Sequence, residues 1–173
     1  LNIHGSHLGP YCYPKTIAAI ADGRGNQYPP PHGLPLLREA IAAHQGRFYD
    51  LDVDPRAGVV VGTGASEILQ SALMALVDDG DEVVLFEPWF DIYTAGISLA
   101  GGRRVGVPMA GPGLRPDLEA LAAAMTPRTR LILLNSPHNP TGIVFTPAEL
   151  AEVARIAQEN DVLVISDEAY EHL

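Results

Sequence analysis

Eight residues, NSPHNPTG from 135 to 142, follow the apolar run RLILLN with two prolines, two asparagines and a glycine. Proline has no backbone donor and fixes its own φ, so Pro137 and Pro140 end a strand and stiffen the chain beyond it. The segment is either a rigid surface turn or a device that aims Asn139, held between His138 and Pro140, at a ligand. Three further stretches offer chemistry. GTGASE (62–67) puts Gly64, Ala65 and Ser66 at a helix start, where free amides and the positive dipole end suit a phosphate, although Ser66 could equally cap the helix. No GK[ST] follows, which excludes a Walker loop, and the third glycine of a dinucleotide fingerprint is missing. EPWFDIY (87–93) groups Trp89, Phe90 and Tyr93 in a chain with 4 Phe and 1 Trp. They are core anchors, or one of them stacks on a flat heteroaromatic ligand. SDEAYEHL (166–173) sets Asp167 at the end of an apolar run, where it caps a helix, faces water or reaches into a crevice. A buried carboxylate there needs a cationic partner.

These stretches need a scaffold, and the apolar periodicity describes one. Leu34, Leu37 and Ile41 recur at helical spacing, AGVVVG (57–62) reads as a short buried strand, and ASEILQSALMALVDDG is a helix closed by Gly80. EVVLF (82–86) is a strand, followed by a helix from about Phe90 to Leu99, a strand at RVGVP and a Gly/Pro-rich loop at 110–116. A helix at PDLEALAAAM, the strand RLILLN, a helix from about Pro147 to Asn160 and the strand VLVIS (162–166) complete the pattern. Strands separated by such helices pair in parallel through βαβ crossovers, with helices on both faces of the sheet. The expected class is α/β. Residues 1–32 read as an entry arm with one short helix near Lys15 to Asp22, and residues 33–173 as the sheet domain. Ligands of such a sheet sit beyond the carboxyl ends of its strands, which is where the four stretches fall.

Composition narrows the partners. With 173 residues, 47% of them hydrophobic, the chain can bury one ordinary core. A formal charge of -10 argues against a surface that neutralises nucleic-acid phosphates. The single cysteine, Cys12, excludes an internal disulfide and a Cys-rich metal site and fits a reducing, cytoplasmic compartment. No apolar run reaches a membrane span, LNIHGSHLGP lacks the regions of a signal peptide, and no His or acid pair has metal-ligand context, so no membrane and no metal are expected.

Five blocks, NQYPPPHGLPLLREAIA, GTGASEIL, DDGDEVVLFEPWFDIY, TPRTRLILLNSPHNPTG and VLVISDEAYEHL, stand in one order, and together they resemble the class I/II aminotransferases, pyridoxal-phosphate-dependent enzymes of fold type I. The spellings NQYPPPHG and NSPHNPTG are similar to the subgroup of kynurenine and glutamine aminotransferases, cysteine-S-conjugate lyases and succinyldiaminopimelate aminotransferases. The resemblance implies that the cofactor is pyridoxal 5'-phosphate and that Asn139 and Tyr170 hydrogen-bond its phenolic oxygen. It implies that Asp167 pairs with the pyridine nitrogen, that Phe90 stacks on the ring, and that Gly64, Ala65 and Ser66 hold the phosphate. Tyr28 resembles a tyrosine that reaches the phosphate of a neighbouring subunit, which implies a homodimer acting on amino acids and 2-oxo acids.

Two features depart from the family. Its Schiff-base lysine lies some tens of residues beyond the aspartate matched by Asp167, whereas Lys15 is the only lysine here. The 173 residues are therefore expected to be the amino-terminal part of a longer enzyme and inactive alone, with no catalytic residue assigned. The substrate-contacting turn GxGxP is also broken: the region reads LNIHGSHLGPYCYP, with Gly5 as its nearest counterpart and His4 and His7 expected as ordinary exposed side chains. β-Elimination, giving a carbon-sulfur lyase, and a non-catalytic ligand-sensing domain of a regulator are the alternative functions.

Overall fold

The computed structural model describes residues 12–23, 25 and 27–172. The chain forms two compact units, residues 1–64 and 65–173. In the first lie helices α1 (Cys12–Asp22) and α2 (Pro35–Tyr49). Pro35 opens α2, where its missing N–H costs nothing, and Asp50 closes it in the left-handed region at φ 54°. No residue of α2 is buried. Gly33, at φ +96°, packs so close to Val61 that a Cβ would stand 2.6 Å from the valine Cβ, which restricts the position to glycine.

The second unit carries the sheet. Its elements are α3 (Ala65–Leu76), β1 (Glu82–Glu87), α4 (Asp91–Leu99), β2 (Arg103–Ala110), β3 (Arg115–Pro116), α5 (Leu118–Ala123), β4 (Thr129–Asn135), α6 (Pro147–Glu159) and β5 (Leu163–Asp167). The strand order is β3-β2-β1-β4-β5, parallel throughout except for the two-residue β3, which turns back against β2. Side chains alternate across the sheet. Val83, Leu85, Leu131 and Leu133 face one side, against Leu69 and Leu73 of α3 and Tyr93 and Ile97 of α4. Val84, Phe86, Ile132 and Leu134 face the other, against Leu121 of α5 and Val153 and Ile156 of α6. Continuous apolar runs in β1 and β4 thus follow from burial on both faces, and the α/β architecture expected from sequence is present.

Polar groups fix the ends of these elements. Thr146 caps α6 in a reciprocal capping box with Glu149, and Pro147 takes the first helical position. Glu149 also accepts from Arg115 of β3, and that guanidinium, with the cap itself, holds its carboxyl down at about 2. Glu82 at the start of β1 is buried, but its carboxylate accepts from Thr126 Oγ1 at 2.6 Å and Arg128 Nη2 at 2.9 Å, and these bonds hold its pKa below the usual carboxylate value.

One expected strand does not form. Residues 57–62 have no ladder, and Val61 N donates to His32 O at 3.1 Å as a loop contact. A strand exists only by pairing, and the described residues of the first unit contain no other strand. The helix expected around Leu34, Leu37 and Ile41 spans Pro35–Tyr49, and the strand at RVGVP extends to Ala110.

The core gives a direct check. Leu131, fully buried in β4, should cost about 2–5 kcal/mol when replaced by alanine. Urea unfolding of Leu131→Ala measures this, and an unchanged midpoint would contradict the packing described.

Candidate functional site

Parallel pairing brings the carboxyl ends of β1, β4 and β5 to one edge of the sheet, with Asn135 directly opposite Asp167. Four of the residues expected to hold a ligand gather there. Asp167 is half-buried at the last position of β5. Its Oδ2 accepts from the Tyr93 hydroxyl at 2.7 Å and its Oδ1 from the Ala169 amide at 3.1 Å. Among the described residues no basic side chain forms an ion pair with it. The carboxylate is thus oriented by neutral donors and still open to a cation.

The loop after β4 is built from its own hydrogen bonds. His138 N donates to Ile143 O at 2.8 Å and Gly142 N to His138 O at 2.7 Å, closing the segment on itself. The Ser136–Pro137 and Asn139–Pro140 peptide bonds are cis. Asn139, half-buried, turns its amide towards Tyr170, with Nδ2 donating to the hydroxyl at 3.4 Å. These two side chains lie side by side at the loop tip and at the turn after β5.

Phe90 occupies the N-cap position of α4 on an extended backbone and is 36% exposed. It meets Tyr93 edge to face, with centroids 5.8 Å apart and planes at 87°. Trp89 behaves differently: its Nε1 donates to Thr94 Oγ1 at 2.9 Å and its ring packs against the apolar cluster on the α3 and α4 side of the sheet. Of the two adjacent aromatics, Trp89 is the anchor and Phe90 the one that shows a face.

Ala65 and Ser66 are the first two residues of α3, both exposed, and Gly64 precedes them at φ +101° with nothing within 4 Å of a would-be Cβ. Ser66 therefore lies inside the first turn rather than capping it. Backbone amides of a helix start and a hydroxyl stand together there, a donor set for a small anion. Tyr28, in the first unit, is fully exposed, and Lys15 is exposed on α1. Gly5, His4 and His7 lie outside the described residues. No helix among the described residues is long and apolar enough to cross a membrane.

Two contributors, Asn135 and Tyr93, are not among the residues expected to hold the cofactor. Asn135 is 3% exposed, and its amide joins both ligand-facing loops: Nδ2 donates to Asp167 O at 2.9 Å, and Oδ1 accepts from Asn139 N at 2.6 Å. Its signal is a polar residue at the end of an apolar run, where a buried amide must find partners. Tyr93 is 2% exposed, and burial first, then the Asp167 hydrogen bond and charge, push its hydroxyl pKa far upward, so the phenol stays a donor. Its signal is the spacing of three residues from Phe90 in one helical turn.

His138 is 4% exposed, its Nδ1 lies 2.8 Å from Thr141 Oγ1, and burial lowers its pKa. A folded value below the unfolded 6.5 means that the unfolded chain takes up the proton first as pH falls. Stability should therefore decline as pH drops from about 7 to about 5, and the decline should be shallower in His138→Gln. Urea midpoints across that range test it; identical slopes for both proteins would mean that the imidazole does not titrate differently in the fold.

Comparison with known proteins follows the same lines. Residues 9–173 match the family model for Aminotransferase class I and II. The chain is 47% identical over 165 residues to a probable N-succinyldiaminopimelate aminotransferase DapC of Mycobacterium tuberculosis, covering 92% of this chain and 42% of that one. It is 40% identical over 163 residues to a methionine aminotransferase of Escherichia coli, covering 94% and 42%. The solved structure of N-succinyldiaminopimelate aminotransferase from Mycobacterium tuberculosis superposes with a TM-score of 0.88 at 46% identity, over 92% of this chain and 43% of that one. The chain thus spans about two fifths of the length of the curated relatives it matches.

Proposed function

The chain belongs to the class I and II aminotransferase family, and on that footing we propose that the complete protein is a pyridoxal-phosphate-dependent aminotransferase moving an amino group between an amino acid and a 2-oxo acid. The observation that carries the reading is the convergence of Phe90, Asn139, Asp167 and Tyr170 at the carboxyl ends of the parallel strands. In this reading residues 1–32 are an arm and residues 33–173 the first part of the cofactor-binding domain.

The residues fit the group chemically. A carboxylate oriented by a phenol and an amide, with no cationic partner among the described residues, suits a protonated ring nitrogen. An amide and a phenol side by side suit a phenolate oxygen. An exposed aromatic face suits a flat ring, and the start of α3 suits a phosphate. When bound, pyridoxal phosphate supplies a conjugated ring that takes up the electron pair left as the substrate α-proton departs.

The chain's own side chains set the conditions for that chemistry. Asp167 keeps the ring nitrogen protonated, because an anion held beside it favours the charged form. Asn139 and Tyr170 would hold the phenolic oxygen as hydrogen-bond donors. Phe90 covers one face and keeps water from it. The amides at Gly64, Ala65 and Ser66, with the Ser66 hydroxyl, hold the phosphate. We assign Tyr28 to the phosphate of a partner protomer, so the active assembly is a homodimer. Lys15 is given no part.

In the complete protein, Asp167→Ala should lower kcat by about 10²–10³-fold with the fold intact, the scale expected when a group that stabilises developing charge is removed. Steady-state kinetics with far-ultraviolet dichroism measures both, and wild-type turnover would overturn the role. Asn139→Ala should cost about tenfold, the value of one hydrogen bond to a charged group, and move the cofactor's visible absorbance. An unchanged spectrum would reduce the proline-framed loop to a structural turn.

A further inference from the structure

We propose that Tyr93 is a positioning residue of the cofactor site: its hydroxyl orients the Asp167 carboxylate while its ring sets the attitude of Phe90, so that one side chain governs both the edge and the face presented to the pyridine ring. The inference rests on the roles given above to Asp167 and Phe90.

Tyr93 is the third residue of α4, and its hydroxyl reaches across to the last residue of β5, 74 positions along the chain, at 2.7 Å. Asp167 Oδ1 is taken by the Ala169 amide, so the two oxygens have different fixed donors. Rotating the carboxyl group would break both bonds at once. Ala169 alone would leave Oδ2 free to swing, since a single acceptor contact fixes one point and not a plane.

The hydroxyl is not needed for packing. Tyr93 sits in the cluster of Leu73, Leu85, Ile97 and Leu133, where a phenylalanine would fill nearly the same space without bringing a polar atom into the core. A buried hydroxyl is tolerated where a partner meets it, and here the partner is a residue facing the ligand. Burial and the adjoining carboxylate keep the phenol protonated, so it remains a donor and Asp167 remains an acceptor.

The second contact runs through the ring. Phe90 has no side-chain cap bond and stands 36% exposed, and the two rings meet edge to face with centroids 5.8 Å apart and planes at 87°. Edge-to-face pairs prefer this geometry, so the buried ring restrains the exposed one. The two restraints separate chemically: Tyr93→Phe removes the hydroxyl and keeps the ring, whereas Tyr93→Leu removes both.

The test uses the complete protein as wild type, Tyr93→Phe, Tyr93→Leu and Asp167→Ala. For each, the dissociation constant of pyridoxamine phosphate is measured on the apoprotein, together with the visible absorbance maximum of the pyridoxal-phosphate form, kcat, KM and the apoprotein melting temperature. Tyr93→Phe should bind pyridoxamine phosphate about tenfold more weakly, shift the absorbance maximum and lower kcat more than KM, at a melting temperature close to wild type. Tyr93→Leu should weaken binding further. If Asp167→Ala loses affinity and shifts the band while Tyr93→Phe matches wild type in both, the positioning role is overturned and the Asp167 assignment stands. If Asp167→Ala also matches wild type, the assignment fails and this inference falls with it.

Discussion

A carboxylate withdrawn from water is costly unless something meets its charge, and Asp167 sits half-buried at the end of β5 without a basic partner among the described residues. Much of the candidate site is arranged around that one group. β4 fixes its backbone: the strands are in register at Asn135 and Asp167, and the Asp167 carbonyl accepts from both the Asn135 amide and Ser136 N. α4 fixes its side chain through Tyr93. The proline-framed loop is tied to the same point, because the amide that holds the Asp167 carbonyl also takes the Asn139 backbone N–H. Neutral hydrogen bonds thus orient the acid without neutralising it, which leaves its charge available to a ligand cation.

The scaffold serves this arrangement by being buried on both faces. β1 lies at the centre of the sheet with Glu82 to Phe86 all buried, and the two apolar clusters clamp it from opposite sides. Asn135 thus inherits its position from the buried β4, and Asp167 from the pairing of β5 with that strand. The candidate site lies where rigid elements stop.

Much of that scaffold was legible in the sequence because burial on both faces writes continuous apolar runs such as EVVLF and RLILLN, and VLVIS also marks a strand although Leu163 and Val164 of β5 are exposed. The run at 57–62 looked the same and is neither a strand nor a buried segment: Val59 is buried, Val60 is exposed, and a strand also needs a partner. The loop that carries Asn139 was legible through Pro137 and Pro140, and the place of Asp167 through the apolar run it ends. Tyr93 and Asn135 were not assigned, for a physical reason: their roles lie in contacts 74 and 32 residues away in sequence. Locally, the three-residue spacing from Phe90 is the one hint that separates such a tyrosine from a core aromatic.

The proposed role of Asp167 is to hold a proton on the pyridine nitrogen of the bound cofactor. The most direct measurement is the ¹⁵N NMR shift of ring-labelled pyridoxal phosphate bound to the complete protein, because protonation of a pyridine nitrogen moves its resonance far from the free-base position. The bound label should resonate as the protonated species at neutral pH, and as the free base in Asp167→Ala. A free-base resonance in the wild-type protein would contradict the account at its root.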